Sequence, residues 1–269
     1  MNNNINQKRN IIGLPNNDDE ANMDFDASMQ NKTVDIHVIF EIILNELIQK
    51  YGEKNMIFPK NITWLSGAPG SGKGEMTSYI MQKMDIQAPP VLLSHLLIGP
   101  EIEKIKSEGK LVSDRHVLKV LLEKLLDPMY TKGVVIDGFP RTECQAKFIG
   151  LLYDKMLHFR RKYINESSLF RRPVFHITVL YVDEDKSIER QLKRGDMILE
   201  HNKRVDTTGV GNKHELRDTD LNEEKARERY KYFKEHVYQS LQLIKNKFPF
   251  HFINAEGTLD DVKQKIQDE

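Results

Sequence analysis

Gly67-Ala68-Pro69-Gly70-Ser71-Gly72-Lys73-Gly74, entered from the apolar run Ile62-Thr63-Trp64-Leu65, decides how this chain folds. It reads as a strand running into a glycine-rich loop, followed by a helical pattern from Glu75 to Met84. Gly70 and Gly72 let successive backbone N–H groups turn inward around phosphate oxygens. Lys73 adds a mobile positive charge, and the helix N-terminus adds its dipole. Ser or Thr commonly follows such a lysine directly, whereas Gly74 and then Glu75 follow here. The loop therefore points to phosphate, and Glu75 is the unusual residue in it.

Outward from this loop, short apolar runs alternate with helical patterns. Strands are expected at Ile62–Leu65, Val91–Ser94, Val134–Asp137, His176–Val182 and Phe250–Ile253. Between them the periodicity predicts helices at Glu75–Met84, Asp114–Leu126, Thr142–Tyr163, Lys186–Arg194 and Glu223–Lys247, with Leu259–Ile266 closing the chain. Such alternation predicts an α/β fold, a parallel sheet with helices on both faces. Ligands of these sheets sit at the carboxyl ends of the strands, which is where Gly67, Ser94, Asp137 and Asp183 fall.

The 269 residues carry forty basic and forty acidic side chains, so net charge gives no reason to expect a nucleic-acid polymer or a membrane as partner. Cys144 is the only cysteine, which excludes an internal disulfide and fits a reducing compartment. Neither a signal peptide nor an apolar stretch of roughly 20 residues is present, so a cytoplasmic protein is expected. Residues 1–31 are Asn-rich and polar and are expected to be disordered. In the following 32–60 segment, Val34, Val38, Ile39, Phe40, Ile42, Ile43, Leu44 and Leu47 form a broad apolar helix face. That helix packs on the main domain, 61–269, or docks a partner; a monomer is expected. Residues 195–216, with Gly209 and Gly211, read as a disordered loop or a mobile lid.

Asp137 ends the run Gly133-Val134-Val135-Ile136 beside the phosphate loop, a position that suits Mg²⁺ held through water. Arg190 and Arg194 share a helix face, and Arg217 and Arg229 follow the 195–216 segment. Guanidinium forks and Mg²⁺ are what phosphoryl transfer needs to neutralise charge. His201 and His214 have no cysteine near them and read as ordinary loop histidines.

These residues resemble the adenylate kinase family of nucleoside monophosphate kinases, from about Ile62 to the C-terminus. The resemblance rests on the Gly67–Gly74 loop, Gly109-Lys110-Leu111-Val112, Asp137-Gly138-Phe139-Pro140-Arg141-Thr142, Arg190-Gln191-Leu192-Lys193-Arg194, Arg217 with Arg229, and Ile253-Asn254-Ala255-Glu256-Gly257. It implies a P-loop kinase fold whose five-stranded parallel sheet carries a small acceptor-binding insertion, about 94–112, and a lid, about 195–216. Gly67, Ala68, Pro69, Gly70, Ser71, Gly72, Lys73, Gly74 and Glu75 would then hold the ATP phosphates, with Lys73 following the γ-phosphoryl group. Arg190 would stack on the ATP adenine, and Ala255 and Gly257 would hold that base through their backbone. Ser94, Val112, Gly138, Arg141 and Gln145 would bind the acceptor, Gln145 reading its base in a way that favours AMP. Arg194, Arg217 and Arg229 would close around the transferring group, and Asp137 would orient Mg²⁺ through its waters.

Three departures from the family pattern bear on activity. Thr is usual where Glu75 stands. A carboxylate about 7 Å from a phosphate charge, at an effective dielectric of ~20, costs roughly 2 kcal/mol before screening, and the helix dipole returns about 0.3–1 kcal/mol of it. The acceptor region is short: Leu93-Ser94-His95-Leu96-Leu97-Ile98 places Ile98 where the family has an arginine or lacks that position, so that either Arg141 works with Lys104 or Lys106 or the affinity for AMP is low. Finally, Asp218–Leu221 holds one extra residue. The resemblance thus implies a Mg²⁺-dependent phosphotransferase acting on ATP and a nucleoside monophosphate. The alternative it leaves open is a nucleotide-binding module with weak or no turnover.

Overall fold

The computed structural model describes residues 35–99, 102 and 113–269. The 1–31 tail, Gly109-Lys110-Leu111-Val112 and both Lys104 and Lys106 lie outside the described residues. Five strands, β1 (Asn61–Gly67), β2 (Val91–Leu92), β3 (Gly133–Asp137), β4 (Val174–Tyr181) and β5 (Phe250–Asn254), pair in parallel in the order β2-β3-β1-β4-β5. β1 and β3 are buried along nearly their whole length and β4 over Ile177–Leu180, rather than at alternate residues. Helices cover both faces of such a sheet, which is why these strands read as continuous apolar runs. Register then sets the site: Leu65 of β1 and Leu92 of β2 both lie beside Asp137, and Gly67 lies beside Leu180.

The described helices are α1 (Ile36–Tyr51), α2 (Lys73–Lys83), α3 (Leu93–Leu96), α4 (Asp114–Leu125), α5 (Glu143–Tyr163), α6 (Glu184–Thr208), α7 (Glu223–Tyr232), α8 (Tyr238–Gln242) and α9 (Leu259–Asp268). Several starts are fixed by caps legible in the sequence. Ser113, Thr142, Asn222 and Thr258 each accept a hydrogen bond from a backbone N–H of the first turn. Thr258 and Asp261 complete a reciprocal capping box.

The N-terminal helix belongs to the compact unit that spans Ile36–Glu269. Its face of Ile36, Ile39, Phe40, Ile43, Leu44 and Leu47 is buried against α4 and α5. Phe40 meets Phe148 edge-on with ring centroids 5.6 Å apart. Each such side chain contributes about 1.5–3 kcal/mol by leaving water. Glu41 pairs with Lys155, and Glu46 with Arg115 and Lys119, around the margin. The apolar face of α1 is thus covered by its own domain. Gly52, at φ 84°, ends the helix in a backbone conformation that suits glycine.

Three elements differ from the sequence expectation. The second strand stops at Leu92, and Ser94 lies in the helical turn α3. The helix expected to end at Arg194 runs on as α6 to Thr208, so the 195–208 half of the expected loop is helical. The last long helix is interrupted by a π-helical segment, Phe233–Val237, and ends at Gln242.

Candidate functional site

The site begins where β1 ends. Ala68 N–H donates to Leu180 C=O at 2.9 Å and Ser71 N–H to Ala68 C=O at 3.1 Å, so the loop is anchored to β4. Gly70 and Gly72 stand at φ 71° and 77°. A Cβ on Gly70 would lie 2.8 Å from the carbonyl oxygen of Ser187, so only glycine fits there. Ser187, fully buried, returns a hydrogen bond to Pro69 C=O at 2.8 Å. Helix α2 starts at Lys73 on a left-handed Gly72 cap with no side-chain acceptor. Among the described residues nothing accepts from the N–H groups of Gly72, Lys73, Gly74 and Glu75. That leaves a concave set of open donors with the helix dipole behind them.

Positive charge converges on these donors. Lys73 rests with Nζ 3.5 Å from Gly67 C=O. Burial pulls its pKa below the ordinary lysine value; Asp137 opposes that, while Arg229, Arg141 and Arg217 add to it. Arg229 is brought down to about 10 by burial, then by Arg217 and Arg194. Arg141 is lowered mainly by its removal from bulk water, against the pull of Asp137. In each case the charged form is held at a cost. Such a cluster is stabilised by a multivalent anion.

Asp137 is the acid at the centre. Its Oδ1 is buried without a hydrogen-bond partner, as is Ser71 Oγ in the loop. A carboxylate oxygen so placed among cations fits a hydrated Mg²⁺, which would supply the missing partner and neutralise phosphate charge. Among the described residues no group of three or more His, Cys, Asp or Glu side chains gathers into a metal cage. A single carboxylate with water and phosphate as the other ligands is the arrangement magnesium favours.

Next to Asp137, Gly138 takes φ 84° and its C=O accepts from Arg141 Nε at 2.8 Å. Arg141 N–H donates to Gln145 Oε1 at 2.8 Å, and Gln145 Nε2 donates to Asp114 Oδ1 at 2.7 Å. Thr142 Oγ1 reaches both oxygens of Asp114, at 3.1 and 3.2 Å. Gln145, only 4% exposed, is therefore held from both ends of its amide. Asp114 was missed by sequence reasoning because its position reads as an ordinary acidic first-turn residue. It also faces Cys144, whose thiol is pushed up to about 12 by burial and then by Asp114. Asp114→Asn is expected to raise the KM for the acceptor about tenfold, the loss of a charged hydrogen bond, and to leave the KM for ATP within twofold. It should also speed alkylation of Cys144, which a mere loosening of α4 far from the thiol would not do.

Arg190 is engaged by backbone carbonyls. Its guanidinium donates to the carbonyls of Gly70, Ala255, Glu256 and Gly257 at 2.8 to 3.2 Å. It ties the phosphate loop to the β5–α9 loop, and stacking on adenine would use only the open face of the same group. Ala255 N–H is fixed to Tyr181 C=O at 2.7 Å, and a Cβ on Gly257 would lie 2.8 Å from Asp261 Oδ2.

Arg194 is gripped by both oxygens of Asp220 at 2.5 and 2.7 Å; its side chain is 42% exposed whereas that carboxylate is fully buried. Asp220 also caps the turn by accepting from Arg217 N–H at 3.2 Å. Arg229 donates to Gln191 Oε1 and Thr219 Oγ1 at 3.2 and 3.1 Å. The extra residue in Asp218–Leu221 thus forms a short 3₁₀ turn, Asp218–Asp220, and Arg217 still lies close enough to Arg229 to lower its pKa. His201 and His214 come together, their rings stacked 4.1 Å apart where the end of α6 meets the returning segment. Of the remaining expected residues, Ser94 is exposed on α3, Ile98 is 69% exposed, and Val112 lies outside the described residues. Glu75 is exposed in the first turn of α2.

A family model described as an AAA domain matches residues 66–208, more than half of the chain. The chain belongs to this family. It is 26% identical over 218 residues to an adenylate kinase of Flavobacterium psychrophilum, covering 76% of this chain and 95% of that protein. It is 25% identical over 207 residues to an adenylate kinase of Deinococcus deserti, covering 74% and 91%. A shorter match, 36% identical over 92 residues, links 31% of the chain to 42% of an adenylate kinase of Buchnera aphidicola. The AAA-domain chain is therefore adenylate kinase-like, as its phosphate loop and its Asp137–Thr142 motif imply.

Proposed function

We propose that the chain is a nucleotide kinase that moves the γ-phosphoryl group of ATP to a nucleoside monophosphate, AMP in the first place, giving two diphosphates. The observation that carries this reading is the convergence of Lys73, Arg141, Arg217 and Arg229 on the open amides of the loop, with Asp137 among them. A site for one phosphate chain needs Lys73 and the loop. The second set of guanidinium groups, entering from the loop between β3 and α5, from α7 and from the turn before α7, suits a second phosphate facing the first. Here Lys73 and the loop amides hold the donor, Arg141 grips the acceptor phosphate, and Arg194, Arg217 and Arg229 neutralise the group in transit. Mg²⁺, when bound beside Asp137, neutralises phosphate charge. Closure of the lid would exclude water and favour transfer over hydrolysis.

A coupled assay of ADP formation from ATP with AMP, CMP, UMP or GMP, with and without Mg²⁺, tests the reading. The expected result is metal-dependent turnover, fastest with AMP. The engaged amide of Gln145 leaves one Nε2 proton for a base, so discrimination among acceptors is expected to be shallow. Measurable ATP binding with no turnover on any acceptor would overturn the enzyme reading in favour of a nucleotide-binding module.

Glu75 tunes the donor site. Its carboxylate is exposed, so screening reduces its repulsion of phosphate to well under the unscreened figure. Glu75→Thr is expected to tighten ATP binding two- to fivefold at low salt and less at high salt, measured by titration. An unchanged dissociation constant at low salt would mean that the carboxylate points away from the phosphates.

A further inference from the structure

The pole opposite the nucleotide site carries a concentration of cations without acidic partners. Register places Asn61 beside both Gly133 and Val174, so the residues that enter β3, β1 and β4 lie in a row at the sheet's amino-terminal edge. Lys132 and Lys60 directly precede β3 and β1, and Arg172 lies one residue further out, before Pro173 and β4; hydrogen bonds from Lys60 N–H to Thr131 C=O and from Val174 N–H to Lys60 C=O hold these chain ends together. Arg160 and Arg161 end α5 at the same pole. The Tyr163–Phe170 ring contact, centroids 5.1 Å apart, folds Arg171 back beside them. Among the described residues, none of these six side chains has an ion pair or hydrogen bond. Nearby acids already have partners: Glu53 holds Lys162, Glu166 holds Lys54, Glu123 holds Lys50, and Asp127 holds Lys124. In a chain of zero net charge this is a local excess.

Two apolar features accompany it. Ile164, Leu169 and Val174 are exposed among the arginines. Beside them opens a cavity of about 780 Å³ whose walls include Ile57, Leu126, Thr131 and Leu169 and, at its charged positions, Glu123, Lys124 and Asp127; both carboxylates are already held by lysines, and the volume is within the size range of small-ligand sites. Thr131 adjoins Lys132, and Leu169 is two residues from Arg171, so cavity and cations share a rim.

We propose that this pole docks on a bilayer surface rich in anionic phospholipid. The arginine forks pair with headgroup phosphates, the three aliphatic side chains enter the interface, and the cavity receives an acyl chain. The charge decides the occupant: one carboxylate or phosphate would satisfy a single arginine, whereas an anionic surface matches six cations. A nucleic-acid backbone would match the charge but leave the aliphatic side chains and the cavity in water. The orientation leaves the nucleotide cleft facing solution.

Sedimentation of the full chain with vesicles of phosphatidylcholine, with and without phosphatidylserine, tests this independently of any kinase activity. Binding is expected on the anionic vesicles alone. It should be lost as salt rises from about 0.1 to about 1 M, which shortens the Debye length from about 10 to about 3 Å. Replacing Arg160, Arg161, Arg171 and Arg172 by Ala is expected to weaken partitioning roughly fivefold per arginine, with ATP binding unchanged as the check on folding. Leu169→Glu should weaken it further without touching the nucleotide site. Equal binding to both vesicle types, no binding to either, or an unaffected arginine variant would overturn the proposal. So would capture by a single-stranded RNA with no binding to vesicles.

Discussion

Lys73→Met is expected to lower kcat/KM by about 10²–10³, the usual consequence of removing one donor aimed at developing charge. It is expected at the same time to stabilise the nucleotide-free protein. Met keeps the length and the apolar stem, so the substitution isolates the ammonium. That ammonium sits among Arg229, Arg141 and Arg217, and its pKa in the fold lies below the ordinary lysine value. A cation with a lowered folded pKa costs stability while it is protonated. Stability rises with pH as that cost is removed, from the lowered folded pKa up to the unfolded value. The wild-type protein without nucleotide should therefore gain stability as pH rises from the lowered folded value of Lys73 toward the ordinary lysine value, and Lys73→Met should shrink that gain without abolishing it, since Arg229 at about 10 contributes in the same sense. Chemical denaturation with and without ATP measures both halves: the variant should be the more stable alone and the less stabilised by ATP. A fall in kcat/KM of under tenfold would place the reacting phosphate away from Lys73.

The parts of this site that are local in sequence were legible there. The Gly67–Gly74 loop and the Asp137–Thr142 turn are each built from consecutive residues whose backbone geometry their own glycines and proline specify. α1 was legible as an amphipathic helix, and what its face packs on is settled by α4 and α5, which no local pattern names. Asp114 and Gln145 were harder for the same reason. Their hydrogen bond joins two helix starts 31 residues apart, and in one dimension Asp114 is an unremarked first-turn polar residue while nothing pairs it with Gln145. The resemblance gives Gln145 a role toward the acceptor base, and the partner that holds its amide, Asp114, is supplied only by the packing of α4 on α5. The basic pole was hidden by a sum: forty basic and forty acidic side chains cancel over the chain, but the acids at that pole are held by Lys50, Lys54, Lys124 and Lys162 rather than by the arginines.

Gly195 shows most sharply how a residue read as a loop glycine can be a packing glycine. Gly195→Ala is a helix-favouring change within α6, worth up to about 1 kcal/mol of added stability on propensity alone. The structure predicts the opposite sign. A Cβ at Gly195 would lie 2.0 Å from the carbonyl oxygen of Asp220, 2.8 Å from its carbonyl carbon and 3.1 Å from its Cβ. The first two are backbone atoms, so no rotamer change relieves the clash, and the Asp218–Asp220 turn must move away from α6. Asp220 holds the Arg194 guanidinium with both oxygens and caps the turn through Arg217 N–H. Displacing it therefore misplaces two of the cations assigned to the transferring phosphoryl group. Overpacking of this kind costs about 1–3 kcal/mol, which exceeds the propensity gain. Misplacement by about 1 Å costs on the order of 10²-fold in rate. The expected result is a lower melting temperature and a kcat down by about 10²-fold, with the ATP dissociation constant within a few-fold of wild type because the phosphate loop is untouched. Asp220→Ala should reproduce the loss of kcat, and combining it with Gly195→Ala should add little, since both act through the same turn. A Gly195→Ala variant as stable and as active as wild type would show that α6 and the turn have room to part, and that Arg194 does its work without Asp220.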